Sequence, residues 1–361
     1  MQTNEFMEPV VTPENFDEIL ESIRIKASDV VSIPPDVISV SGSTIATLGN
    51  FSASTGKGKS KKTFNVCAIV AAVLTGKKVL NYEASFPKEK RRVVYFDTEQ
   101  SDGHCHKVME RINLLSGYPR NYDCELLEFY YLRKFGPLNR RRIIELYLAK
   151  FPDIGLVIID GLRDLLYDIN SSAESSEVIG LLMRWSGEYN LHIHTVLHLN
   201  KGDDNVRGHI GTELNHKAET ILQVVKNDVD GSISEVHAAL IRERDFPPFA
   251  FRINDDGIPE LVDEDDYEST PQKKPVFNYE YMAEELHRKA LSVAFGENRE
   301  PILYTPLLGR LEVGYATIGI ERRRNVMINL LKFLLKNEII RKEGKGYLLN
   351  EDFHFVPQVP E

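Results

Sequence analysis

FSASTGKGKSKKTFNVCAIVAAVLTG, residues 51–76, decides how the rest of the chain is read. Phe51 to Thr55 is a run of small, β-branched and aromatic residues that suits the end of a strand. Gly56 to Lys62 is a loop of Gly, Ser and Lys. From Thr63 an apolar helical pattern runs through Phe64, Val66, Cys67, Ile69, Val70, Val73 and Leu74, and Gly76 is a C-terminal stop. A Gly/Lys loop between strand and helix is the setting of a phosphate-binding loop, whose backbone N–H groups converge on an anion while the helix adds its positive N-terminal end. The segment Gly56, Lys57, Gly58, Lys59, Ser60, Lys61, Lys62, Thr63 and Phe64 is therefore a candidate nucleotide site. A basic turn with no ligand is the alternative for as long as this stretch stands alone.

The motif G-x-x-x-x-G-K-[ST] fits in two frames. The first runs from Ala53 to Ser60 and ends Gly58-Lys59-Ser60, with Ala for the first Gly. The second runs from Gly56 to Thr63 and ends Lys61-Lys62-Thr63, with Lys for the last Gly. We prefer the second, because the first would put phosphates beside Ser54, still inside the strand. In the second, Gly56 turns the chain as the strand ends and Thr63 opens the helix. Its cost is Lys61 at a position where Gly normally gives a permissive backbone.

The chain has 361 residues, enough for two domains, with 42% hydrophobic and 27% charged content. A net charge of −10 excludes a polycation that coats nucleic acid, so any such site must be a local basic patch. Three scattered cysteines, Cys67, Cys105 and Cys124, offer no disulfide framework and fit a reducing cytoplasm. No apolar run is long enough to span a bilayer, and MQTNEFMEPV lacks the pattern of a signal peptide. We expect a cytoplasmic protein with no membrane partner.

Residues 1–36 are expected to form a packing arm, with a helix after Thr12-Pro13-Glu14 carrying Phe16, Ile19, Leu20 and Ile23 on one face. Val37 to Thr47 has the pattern of a β-hairpin turning at Ser41-Gly42-Ser43. Strands are then expected at 91–96, 124–131, 154–160, 191–199, 219–226 and 235–241, with helices following 99, at 140–148 and at 175–189. The run Ile154 to Ile159, closed by Asp160, is the pattern of a strand buried on both faces of a parallel sheet. The fold class predicted is α/β, a mostly parallel sheet sandwiched by helices over 37–262, with ligands at the carboxyl ends of the strands. Residues 263–278 form a polar linker, and 279–361 a smaller domain: helices at 279–295, near 307–311 and at 321–337, then a hairpin around Lys342-Glu343-Gly344-Lys345-Gly346. That order describes a winged helix.

The ordered set GKGKSKKT (56–63), VVYFDTEQ (93–100), LVIID (156–160), HTVLHLNK (194–201) and LIRERDFPPFAF (240–251) resembles RecA-like ATPases, especially the RepA-type hexameric helicase ATPases of plasmids and mobile elements. The likeness covers roughly residues 37–262. Combined with the needs of phosphoryl transfer, it implies ATP and Mg²⁺ as ligands, with Lys62 as the phosphate cation and Thr63 as the Mg²⁺ hydroxyl. It likewise implies Asp160 as the metal acid, Glu99 as the residue that orients water, and His198 as the γ-phosphate sensor. Arg242 and Arg244 match the family's K-x-R element, with Arg at the first position, and would reach a neighbouring subunit's nucleotide. Singly, Asp160 could cap a turn, Glu99 could be a first-turn helix acid, and the arginines could be a solvated strand end.

Other patterns are weaker. His192, His194 and His198 share one face of a strand, but alternate strand positions do not converge on a metal. The glycine-bearing segment 200–215 is read as a loop, with Lys201 and Arg207 as candidate DNA contacts by the same resemblance. Between 306 and 346, nine Lys and Arg oppose four Glu, and Arg322, Arg323 and Arg324 open a helix, which suits DNA. Winged helices also serve as protein-binding modules. The function expected is an ATP-driven DNA motor or DNA-remodelling ATPase acting as a homo-hexameric ring. The rivals are an ATP-controlled DNA-binding regulator and an assembly scaffold without motor activity.

Overall fold

The computed structural model describes residues 11–29, 34–199, 208–263, 267, 279, 282–296, 300–318, 320 and 324–355. Two compact units divide the chain, Met1–Thr270 and Pro271–Glu361.

The first unit starts with helix α1 (Phe16–Ile23), none of whose residues is buried among the described residues. Strands β1 (Asp36–Val40) and β2 (Ser43–Thr47) form the expected hairpin, turning at Ser41 and Gly42 with φ of 51° and 80°. Then come β3 (Phe51–Gly56), α2 (Lys62–Thr75), β4 (Tyr82–Ala84), β5 (Arg92–Asp97), α3 (Asp102–Leu115), β6 (Leu127–Tyr131), α4 (Pro137–Lys150) and β7 (Ile154–Asp160). A short 3-10 turn (Leu162–Leu165) leads to α5 (Ser172–Glu188), β8 (His192–His198), α6 (Gly208–Lys217), β9 (Thr220–Lys226), β10 (Ile233–Ile241), β11 (Phe249–Ile253) and β12 (Pro259–Val262). Helix α6 occupies part of the segment expected to be loop. β11 and β12 form an antiparallel pair whose short, mixed patterns gave no strand signal.

Nine strands make one sheet in the order β12-β11-β10-β9-β3-β8-β7-β5-β6. The six from β9 to β6 run parallel, and β10, β11 and β12 extend the sheet antiparallel. Alternate residues of one strand feed opposite faces. Val93, Tyr95, Leu156 and Ile158 pack on the side of α2, whereas Val94, Phe96, Val157 and Ile159 pack with Ile144, Leu148 and Trp185 from α4 and α5. β3 is buried throughout although its sequence is FSASTG. α2 is buried on nearly every side from Asn65 to Leu74, which is why its apolar residues follow no single stripe. It ends where Gly76, with φ of 63°, returns its N–H to Ala72 O.

The second unit holds α7 (Glu284–Phe295), α8 (Tyr304–Ala316) and α9 (Arg324–Lys336), with a three-stranded sheet of β13 (Ile302–Leu303), β14 (Ile340–Glu343) and β15 (Gly346–Leu349) in the order β13-β15-β14. Its core includes Leu291, Phe295, Leu308, Leu311, Leu330 and Leu334. Gly314 lets α8 close on α7, since a Cβ there would lie 2.3 Å from Ala290 O. Among the described residues no helix is long and apolar enough to cross a membrane.

Candidate nucleotide site

Every element of the candidate site ends at the carboxyl edge of the parallel strands. β3 runs into the loop 56–61. Gly56 tolerates no side chain, because a Cβ would meet Val224 O at 2.3 Å and Ser60 Oγ at 2.6 Å. Lys59 and Lys61 both hold left-handed backbone, with φ of 66° and 67°. For residues with a Cβ this costs about 1 kcal/mol each. Lys61 is the residue that replaces the motif's last glycine, so the loop keeps the glycine-like backbone and bears the strain. Its ammonium donates to Ser232 O in the β9–β10 turn. Burial and the neighbouring Lys226 hold its pKa below the ordinary lysine value.

No side chain caps the N-terminus of α2, so its first N–H groups face the loop without a side-chain acceptor. Ser60 Oγ is buried and has no hydrogen-bond partner. An uncapped helix start, an orphaned hydroxyl and a glycine that admits no Cβ together make a cradle that fits phosphate oxygens.

Lys62 Nζ donates to Gly56 O at 2.8 Å and Lys57 O at 3.0 Å, and lies 3.1 Å from His198 Nδ1. Burial lowers its pKa to about 8, against the opposing pull of Asp160 and Glu99. Lys59 carries no such constellation. Thr63 Oγ1 donates to Asp160 Oδ2 at 3.2 Å, and Tyr95 OH donates to the same oxygen at 2.7 Å. Burial and repulsion from Asp97 push the Asp160 carboxyl up to about 6, with the two hydroxyl donors working the other way. Glu99 is half-exposed, and its Oε1 stands 3.8 Å from His198 Nε2. The imidazole beside it holds the Glu99 carboxyl below the usual carboxylate range. His198 thus lies between Lys62 and Glu99, a consequence of register, because Gly56 of β3 pairs with His198 of β8. A cleft open to solvent lies beside them, lined by Glu99, Gly161, Arg163, Ile169 and His198 among others.

The structure therefore brings Lys62, Thr63, Asp160, Glu99 and His198 together. Phe64 lies outside this group, its ring under the Arg111 guanidinium at 3.7 Å. Arg242 and Arg244 are also outside it. Ile241 pairs with Thr220, and Thr220 pairs with Ser52, four residues before Gly56. The arginines follow Ile241 at the opposite end of the sheet, ~13 Å or more from the loop at ~3.3 Å per residue. Arg242 donates to Lys217 O at 3.3 Å. Within one chain neither can touch this loop's phosphates. Lys201, Arg207, Arg322 and Arg323, and the side chain of Arg324, lie outside the described residues.

His192 and His194 are structural. His192 bridges Thr47 O (2.9 Å) and Ser52 Oγ (2.7 Å), and His194 bridges Ser52 Oγ (2.8 Å) and Ser54 Oγ (2.9 Å). Burial depresses the His194 pKa to about 3 and also lowers that of His192, so both are neutral at pH 7. Among the described residues no group of three or more His, Cys, Asp or Glu could hold a metal alone. Thr63 and Asp160 fit Mg²⁺ of the kind that completes its shell with phosphate and water oxygens.

Three further residues of the site were given no role by the sequence. Tyr95 holds Asp160 and stacks on Phe129 at 4.4 Å. Asp97 accepts from Glu99 N (3.0 Å) and Gln100 N (2.8 Å). Arg140 reaches in from α4. An acid closing the β5 run, as Asp160 closes β7, was the one hint available for Asp97; an arginine inside a helix gives none.

Residues 26–204, which include all five converging side chains, match a family model described as AAA domain. The crystal structure of the RadB recombinase is similar at 16% identity and a TM-score of 0.42, over 60% of this chain and 92% of that one. No curated protein sequence matches the chain. The AAA-domain match agrees with a RecA-like P-loop ATPase core.

Proposed function

We propose that this chain is an ATP-hydrolysing DNA motor or DNA-remodelling ATPase, similar to RepA-type helicases of plasmids and mobile elements and acting as a hexameric ring in the cytoplasm. The observation that carries the ATPase reading is the convergence of a cation, a metal acid with its hydroxyl, a carboxylate and a histidine on one anion cradle.

Each residue then has a task that its chemistry allows. Lys62 neutralises charge on the β- and γ-phosphates, and its place among carbonyls and His198 sets it at the loop's mouth. Thr63 and Asp160 would hold Mg²⁺, which supplies further charge neutralisation when nucleotide is bound. Glu99, kept ionised by its low pKa, orients water and accepts its proton. His198 stands between Lys62, at 3.1 Å, and Glu99, at 3.8 Å, so it can report which nucleotide is present. Arg242 and Arg244, too far from their own loop, act on the neighbouring subunit's nucleotide.

In the second unit, three helices and a three-stranded sheet with a β14–β15 hairpin support a winged helix, with DNA as its partner through the 322–324 arginines. Lys201 and Arg207 are proposed contacts to DNA in the ring. A regulator or scaffold would share the same cradle. The deciding measurement is ATP turnover with single-stranded DNA, duplex DNA and no DNA, beside a DNA-binding assay. A motor is stimulated by single strands. DNA binding without stimulation supports the regulator, and turnover indifferent to DNA that does not bind supports the scaffold.

A further inference from the structure

We propose that Arg140 is a positioning residue for Glu99, a role that rests on the reading of Glu99 as the water-orienting base. Arg140 sits near the start of α4 and is 9% exposed. Its guanidinium donates to four carbonyl oxygens: Leu132 O (3.2 Å), Arg133 O (3.3 Å), Asp164 O (2.7 Å) and Thr98 O (3.0 Å). These belong to the three loops that follow β6, β7 and β5. A buried guanidinium is costly unless its donors are satisfied. An apolar side chain could fill the same space, so a cation gathering carbonyls from three loops calls for a role beyond filling volume.

That role lies in the Thr98 contact. The Thr98 carbonyl and the Glu99 N–H belong to one peptide group. Arg140 holds its oxygen, and Asp97 Oδ1 accepts from its nitrogen at 3.0 Å. Thr98 is further tied through Oγ1 to Asp160 O and Gly161 O, each at 3.0 Å. The Glu99 carboxylate, by contrast, is half-exposed, with His198 at 3.8 Å as its nearby partner. A side chain so lightly held takes its aim from its own backbone. The plane of peptide 98–99 is fixed by a cation on one edge and a carboxylate on the other, and that plane sets where Glu99 points. Asp164, whose carbonyl Arg140 also grips, follows Arg163 of the cleft wall. Arg140 thereby ties the base and the wall facing it to one guanidinium.

The test compares Arg140→Gln, Arg140→Lys, Glu99→Gln and the double variant Arg140→Gln/Glu99→Gln in the full chain, reading nucleotide Kd and kcat separately. We expect Arg140→Gln to lower kcat by ~10²-fold, the scale of a ~1 Å misplacement. Nucleotide Kd should stay within about 3-fold, since Lys62, Thr63 and the cradle are untouched. Arg140→Lys keeps the charge and part of the bonding and should fall between the two. It carries the test if the glutamine variant does not fold. In the Glu99→Gln background, Arg140→Gln should cost little more, because the group it aims is already gone. Losses that multiply, a Kd that worsens in step with kcat, or normal turnover in Arg140→Gln would each overturn the proposal. Should Glu99→Gln itself hydrolyse ATP normally, the base assignment fails instead, and this role falls with it.

Discussion

Asp160→Asn tests the electrostatics of the site without disturbing its shape. Asp160 is buried, and burial lifts its pKa from 3.8 to about 6. The carboxylate is therefore harder to ionise folded than unfolded, and each tenfold loss of acidity is worth ~1.4 kcal/mol. At pH 8 the ionised group thus opposes folding by up to ~3 kcal/mol. Asparagine keeps an oxygen that can accept from Tyr95 and Thr63 and removes the charge. Not all of the ~3 kcal/mol returns, because Lys62 loses an opposite charge that raises its own pKa. We expect a net gain of about 1–2 kcal/mol, a rise in Tm of about 2–8 °C for a unit of this size. The sign with pH follows from linkage. Asp160 has a folded pKa above its unfolded one, so the relative stability it confers is present below about pH 4 and is lost as pH climbs through about 6. The advantage of the variant should be larger at pH 8 than at pH 5, by about 1 kcal/mol. Thermal unfolding at both pH values, without nucleotide or Mg²⁺, reads this directly. Turnover should fall at least ~10²-fold, because the metal acid is gone. A variant that is less stable than the parent, or whose advantage does not change with pH, would refute the reasoning.

Two further predictions concern the assignment of roles. Lys62→Ala should abolish ATP hydrolysis while Lys59→Ala leaves it measurable, because only Lys62 sits within reach of His198 and the loop carbonyls; the reverse outcome would restore the frame ending at Ser60. Arg244→Ala should bind ATP nearly normally and hydrolyse it poorly, with losses of ~10³-fold if it stabilises charge in a neighbour's site. Mixing it with Glu99→Gln should recover part of the activity, and co-assembled rings that stay inactive would show that Arg244 does not act in trans.

Much of the first unit was legible because its signals are local. Continuous apolar runs at 93–96 and 154–159, rich in β-branched and aromatic residues, suit doubly covered strands, and the loop between β3 and α2 carries its chemistry in adjacent residues. What the pattern could not show depends on long-range pairing. The distance of Arg242 from the loop follows from β10 running antiparallel beside β9, and no spacing in IRER encodes that direction. Arg140 acts through backbone carbonyls of other segments, so its identity alone says nothing. Lys61 is the instructive departure. It looks like damage to a motif, yet the chain keeps the left-handed backbone and accepts the strain. Segment 200–215 was expected to be loop because glycine and polar residues dominate it, but packing of Ile210 and Leu214 against the α5 side of the sheet makes α6 of its second half.

The polar ladder between β3 and β8 has a bearing on folding fidelity. A strand covered on both faces, with small residues on each, has little to tell it which partner residue to choose. Here the choice is written in hydrogen bonds. Thr47, His192, Ser52, His194 and Ser54 interlock as alternating hydroxyls, imidazoles and a carbonyl. Sliding β8 by one residue would turn both imidazoles to the other face and leave two serines and two histidines buried without partners. Sliding it by two would break the ladder at its ends. Each misalignment strands groups whose desolvation costs ~1–3 kcal/mol apiece. The ladder acts as a vernier: by excluding every neighbouring alignment, it delivers His198 opposite Gly56, and the two halves of the site meet at the right step.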